Sequence, residues 1–189
     1  MAKPRVTYLT FAKNALRYLK GTVDSSLCFA KDQGKIQLIG YCDSDYASSE
    51  DRKSISGYCF KMCENGPLIS WKTKKQSVVS LSSCESEYTA FTHAVQEGKF
   101  LAQLCSDLKN DEKQTFPLFV DSQAAMKLAT NPEYHQRSKH IDVKYHFVRH
   151  EVREKSVQFF YIPSKKNVAD IFTKAVPKSQ MNDCHIFGM

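Results

Sequence analysis

Four carboxylates stand where a hard cation would need them. Asp43 closes the apolar run Ile36–Asp43 (IQLIGYCD), and Asp121 closes another, Phe116–Asp121. Both runs read as strands, and in open α/β sheets ligands gather beyond the carboxyl ends of strands. A strand-terminal Asp more often serves a turn or a helix cap, so neither residue decides anything alone. Glu87 comes from an amphipathic stretch, Ser82–Leu108, in which Ser82-x-x-Glu85 matches a capping box and gives Glu85 a structural task. Glu87 has no such task. It shares a helix face with Ala90, Phe91 and Ala94, the side that must lie on a sheet. A carboxylate there is costly unless something positive holds it. Asp170 falls in the first turn of a final helical stretch, Lys165–Lys174, where a helix-dipole contact is the plainer role. Brought together without cations, the four would repel one another and raise their own pKa values. Mg²⁺, a hard ion that prefers carboxylates, resolves the conflict, and Mn²⁺ shares that preference. Two such ions about 3.5–4 Å apart form a clamp suited to in-line phosphodiester hydrolysis.

The elements that must position these residues follow from periodicity. Val6–Lys20 carries Leu9, Ala12, Leu16 and Leu19 at helical spacing and stops at Gly21. Ser26–Lys31 is a short extended stretch. Ile36–Asp43, Ser56–Met62 and Leu68–Trp71 predict three strands of an antiparallel meander, with a polar loop at Ser44–Lys53 and a turn at Glu64-Asn65-Gly66-Pro67. The long helix follows, then the strand Phe116–Asp121, a short helix Ser122–Ala129 and a loop Asn131–Lys139. Ile141, Tyr145, Val148 and Val152 predict a helix over Ile141–Lys155. Val157–Ile162 is the last strand, stopped by Pro163. The order βββαβαβα implies an α/β fold: a five-stranded mixed sheet, three strands antiparallel and two parallel, flanked by helices.

Lys and Arg total 27 against 20 Asp and Glu, and the net charge of +7 suits a polyanionic partner such as nucleic acid without proving one. Seven Cys with no C-x-x-C pair resemble reduced thiols more than a disulfide framework or a zinc knuckle. His146 and His150 are spaced i, i+4 as zinc ligands can be, but lack a matching Glu or Cys set. No signal-like opening or membrane-length apolar run is present, so a soluble intracellular protein without membrane contact is expected.

The segments IGYCDSDYASSEDRKSISGYCF, ISWKTKKQSVVSLSSCESEYTAF, LFVDSQAAMKLATNP, RSKHIDVKYHFVR and KNVADIFTKAV, in this order, resemble the ribonuclease H of copia-type LTR retrotransposons. The likeness runs from Val6 to Val176 and includes RYLKGT, which in that family joins the reverse transcriptase to the nuclease. It implies a ribonuclease H-like fold and three segments: a connection helix over 1–24, the nuclease over 25–176 and a tail over 177–189. It also implies a two-Mg²⁺ endonuclease that cuts the RNA strand of RNA–DNA hybrids to leave 5′-phosphates, with Asp43, Glu87, Asp121 and Asp170 as catalytic metal ligands. The reverse transcriptase of the same polyprotein would be its neighbour, and the cytoplasm, retroelement particles or the nucleus its place of action. Asp45, in the loop past the strand, and Asp142, a capping candidate, fall outside that set. Cellular ribonucleases H often carry a His before the last acidic residue; here the loop reads Ser164-Lys165-Lys166-Asn167, leaving His140 or His135 as alternatives.

Hybrid contacts are expected from Lys72, Lys74 and Lys75, which follow Trp71, and from a second basic cluster of Arg137, Lys139, His140 and Lys144. Each is equally a solvated surface. By resemblance, Ser82, Ser83, Ser122 and Gln123 would lie in the minor groove, where the 2′-hydroxyl distinguishes RNA from DNA. Two other readings stay open: a non-catalytic remnant that binds nucleic acid or a polymerase, and a DNA nuclease or integrase of the same general fold.

Overall fold

The computed structural model describes residues 5–29, 37–109, 115–131 and 139–176, without the side chains of 139–142. Helix α1 (Val6–Gly21) comes first, then strands β1 (Ile39–Asp45), β2 (Ile55–Lys61) and β3 (Leu68–Lys75). Helix α2 (Ser83–Lys109) leads to β4 (Phe116–Val120), α3 (Gln123–Thr130), α4 (Lys139–Arg153) and β5 (Val157–Tyr161). Two short 3-10 turns, Ser164–Lys166 and Val168–Phe172, close the described chain. The sheet order is β3-β2-β1-β4-β5, with β1–β2 and β2–β3 antiparallel and β1–β4 and β4–β5 parallel. This is the expected five-stranded mixed sheet.

Strand alternation divides the sheet into two chemically different faces. Cys42, Phe60, Leu118, Val120, Val157 and Phe159 point to one side, where they form the main core with Tyr88, Phe91, Ala94 and Val95 of α2 and Val148 of α4. On the other side Cys59 and Leu68 pack against Val168, with Tyr41, Ile171 and Phe172 around them. The second 3-10 turn therefore covers the β1–β2–β3 half of that face. α1 contributes to neither core and leaves Val6, Leu9, Phe11, Leu16 and Leu19 exposed.

Several boundaries differ from the sequence expectation. β1 continues past Asp43 because Ser44 and Asp45 pair with Ser56 and Ile55. β3 runs on to Lys75 because Lys72–Lys75 pair with Ile55–Tyr58, although every side chain from Trp71 to Lys75 is exposed. The final helix is instead the two 3-10 turns, broken at Asn167. The Asn167 side chain accepts a hydrogen bond from the Ala169 amide at 3.1 Å and donates one to the Cys42 carbonyl at 3.0 Å. That pairing gives up helical continuity for a fixed link to the sheet. Residues 26–29 of the expected stretch Ser26–Lys31 carry no strand, while 30 and 31 lie outside the described residues. So do Arg137, His135 and the 177–189 tail, together with the side chains of Lys139, His140 and Asp142.

Candidate metal centre

Parallel pairing of β1 with β4 sets Tyr41 opposite Phe119, so Asp43 and Asp121, two residues further along each strand direction, reach the same edge on the same face. Asp170 arrives from the second 3-10 turn, which Asn167 pins to the backbone of Cys42, the residue before Asp43. Oxygens of Asp43, Asp121 and Asp170 lie within 4.8 Å of one another. Among the described residues, no other group of His, Cys, Asp or Glu side chains meets that standard.

Glu87 completes the cluster from above without belonging to that tight group. It is 8% exposed, and the Ser44 backbone amide donates to its carboxylate. Its Oε2 is buried and has no hydrogen-bond partner among the described residues. Burial, then the charges of Asp43 and Asp121, push its pKa up to about 9. Asp43 is raised to about 6, chiefly by burial; the Thr173 hydroxyl opposes the shift and Asp121 and Asp170 add to it. The neighbouring Cys42 thiol is also pushed up, by burial and then by Glu87. Acids crowded to this degree ask for positive charge. Lys174 supplies some, with its Nζ 2.9 Å from Oδ2 of Asp170. An all-oxygen donor set with a buried, unfilled carboxylate oxygen at its rim fits a hard divalent cation such as Mg²⁺ or Mn²⁺.

Three supporting residues escaped the sequence reading. Thr173 donates its hydroxyl to Oδ2 of Asp43 and to the Asp170 carbonyl. Lys174 pairs with Asp170, and Asn167 anchors the turn. Their signal is spacing alone: Asp170 minus three, plus three and plus four, on an element of little more than one turn. Gly57 matters for the same reason. It lies opposite Asp43 in the β1–β2 register, and a Cβ there would meet Thr173 Cγ2 at 2.8 Å and Phe172 Cβ at 2.9 Å.

The remaining candidates sort by geometry. Asp45 stays outside the tight group, and its carbonyl accepts from the Ser48 hydroxyl at 3.3 Å. Glu85 performs its capping task, accepting from the Leu81 amide at 2.7 Å, while Ser82 Oγ accepts from the Glu85 amide at 3.2 Å. Ser122 caps α3 by accepting from the Ala125 amide at 3.2 Å, and Ser83 and Gln123 are exposed beside it and the α2 start. Lys72 and Lys74 face the α2 side of β3, whereas Lys75 by alternation faces the other and pairs with Asp51 at 2.7 Å. His146 and His150 are exposed on α4.

No protein-family model matches the chain. Over 176 residues it is 39% identical to the retrovirus-related Pol polyprotein from transposon TNT 1-94 of Nicotiana tabacum, covering 92% of this chain and 13% of that protein. Over 180 residues it is 31% identical to the corresponding polyprotein from transposon RE1 of Arabidopsis thaliana, covering 95% of this chain and 12% of that one. The chain thus spans only about an eighth of these relatives. Among solved structures, LC11-RNase H1 from compost, in complex with an RNA/DNA hybrid, matches with a TM-score of 0.54 at 17% identity, covering 72% of this chain and 94% of that one. That likeness speaks for the fold. With relatives at this identity along nearly its whole length, the chain belongs to the copia-type retrotransposon Pol family, of which it forms a segment with the ribonuclease H-like fold.

Proposed function

We propose that this segment is a Mg²⁺-dependent endonuclease that hydrolyses the RNA strand of RNA–DNA hybrids during reverse transcription. The observation that carries the reading is the convergence of Asp43, Asp121 and Asp170 within 4.8 Å beside the unfilled oxygen of Glu87. These four residues would hold the cations, which when bound neutralise charge on the attacking and leaving oxygens of the phosphodiester. The protein's own part is to fix the ligands in advance. Thr173 orients Asp43, Lys174 holds one oxygen of Asp170, and Asn167 ties the Asp170 turn to β1. Preorganisation of this kind removes reorganisation cost from the reaction itself. A non-catalytic remnant would gain nothing from a buried acid raised to about 9. Support for a hybrid as substrate comes from the fold shared with the hybrid-bound LC11-RNase H1. The uncovered apolar positions of α1 support packing against a preceding reverse transcriptase domain, in the cytoplasm, in retroelement particles or in the nucleus, wherever hybrids form.

The test uses end-labelled hybrid with the purified chain, in Mg²⁺, in Mn²⁺ and in chelator. The RNA strand is expected to be cut to 5′-phosphate products in either metal, with chelator abolishing the reaction and duplex DNA left whole. An intact hybrid in both metals counts against the proposal, and preferential cleavage of duplex DNA transfers the chain to another nuclease class.

Gly57→Ala supplies a test of the support beneath the site. The added methyl must push the Phe172–Thr173 segment away from β2, and with it the Thr173 hydroxyl and Asp170. Overpacking of this kind costs about 1–3 kcal/mol of stability. Displacement of catalytic groups by about 1 Å costs roughly 100-fold in rate. Cleavage should therefore fall far more than the melting temperature, and wild-type cleavage by Gly57→Ala would show that the turn does not position the metal ligands.

A further inference from the structure

A cleft of about 210 Å³ opens between α2 and β3, apart from the acidic cluster. Tyr58 lines its β2 side, Lys72 and Lys74 its β3 side, and His93, Gln96 and Glu97 its helical wall. Strand geometry gives the lysines their arrangement: two residues apart, on one face, at a repeat of roughly 6.8 Å. That repeat is close to the separation of successive phosphates along a nucleic-acid strand. Lys74 pairs with Ser56, which pairs with Ser44, the residue after Asp43. Lys74 therefore sits two strands, about 10 Å, from Ser44 at the same end of the sheet as the metal centre, on the α2 side, whereas the Asp43 side chain points to the opposite side.

Its charge is positive on balance. Glu97 is the one carboxylate in the lining, and its oxygens already accept from Ser70 Oγ at 2.6 Å and from the Tyr58 hydroxyl at 3.3 Å. Burial first, then the charges of Lys74, Lys144 and Lys72, hold the His93 pKa down to about 4. The ring is therefore neutral near pH 7, and its Nδ1 is buried with no hydrogen-bond partner among the described residues. Two ammonium groups lining one cleft with a single, already hydrogen-bonded carboxylate are an arrangement that an oxyanion relieves.

We propose that this cleft seats backbone phosphates of the nucleic acid bound at the metal centre, with Lys72 and Lys74 supplying charge and His93 and Gln96 a neutral polar wall. The inference rests on the nuclease reading for its ligand and on the cleft for its geometry. The test is binding of labelled RNA–DNA hybrid, with divalent metal chelated, across a salt series. Each phosphate contact contributes close to one unit to the slope of log affinity against log salt. Lys72→Gln/Lys74→Gln is expected to flatten that slope by about 1–2 units and weaken binding roughly tenfold. Lys13→Gln/Lys20→Gln, two charges removed from α1, should leave the slope in place. Equal flattening by both pairs would mean general electrostatics and overturn the proposal, as would an unchanged slope for the cleft pair. NMR titration of the His93 ring separates the ligand sources. Added hybrid should raise its pKa by a unit or more; a response to inorganic phosphate but not to hybrid would identify a small-anion site and overturn the backbone assignment. A wild-type protein that binds with this slope yet never cleaves would defeat the nuclease reading and leave the cleft standing.

Discussion

Asp43→Asn is expected to lower hybrid cleavage by at least about 1,000-fold, equivalent to roughly 4 kcal/mol of lost transition-state stabilisation. The substitution changes charge and little else. An amide oxygen can still accept from Thr173, so the link between β1 and the Asp170 turn persists. What disappears is one negative charge at the centre of the group whose oxygens lie within 4.8 Å. Removing a buried carboxylate from among like charges does not weaken the metal-free fold, because its ionisation was already opposed by burial and by Asp121 and Asp170. Hybrid affinity in chelator should hold or improve, since one repulsion toward phosphate is gone. Asp45→Asn is the matched control: two residues away, outside the tight group, and expected to cleave within about threefold of wild type. Parallel melts, binding curves and cleavage rates on the two variants check the set. Retention by Asp43→Asn of more than a tenth of wild-type cleavage would remove it from the metal centre.

The candidate acids were unequally legible in the sequence: Glu87 violates a local rule, while Asp43, Asp121 and Asp170 hold ordinary local positions and stood out only as a set. Asp43 and Asp121 end apolar runs, and Glu87 interrupts the buried face of an amphipathic helix while Glu85, two residues earlier, has a cap to make. Burial without a partner is visible in a pattern even when the partner is not. Their convergence required the strand order, and β1–β4 pairing supplies it. The supports were illegible for the opposite reason. Asn167, Thr173 and Lys174 are ordinary loop residues in sequence, and only contacts 125 or 130 residues away make Asn167 and Thr173 structural. The final helix was misjudged because helical spacing of Val168, Ile171 and Phe172 cannot reveal that an Asn side chain has bonded across to β1. β3 was cut short because its second half is an exposed edge, where Lys and Thr alternation carries no hydrophobic signal. The same edge hid the cleft: Lys72 and Lys74 were visible as charge, but no spacing in the sequence brings His93 of α2 beside them.

Glu87→Gln should separate the cost of the site from its use. In the folded, metal-free protein the Glu87 pKa is about 9, far above the ordinary 4.5. A carboxyl raised on folding contributes its full share of stability below the unfolded value and loses it as pH rises toward the folded one. Metal-free wild type should therefore weaken steadily between about pH 4.5 and 9. Asp43 adds a smaller loss between about 3.8 and 6. The amide of the Glu87→Gln variant cannot ionise, so the larger slope vanishes, and at pH 8 the variant should be more stable by roughly 2–4 kcal/mol, or about 5–10 °C in melting temperature. At pH 4 the two proteins should melt together. Mg²⁺ should stabilise wild type at pH 8 more than the variant, because the wild-type carboxylate gains a counter-charge there and the amide does not. Cleavage should meanwhile fall by about 100-fold or more. A residue retained for packing would show the reverse, with lower stability at every pH and near-normal turnover. A lower metal-free melting temperature for Glu87→Gln at pH 8 would place Glu87 in the architecture of the helix and outside the chemistry of the site.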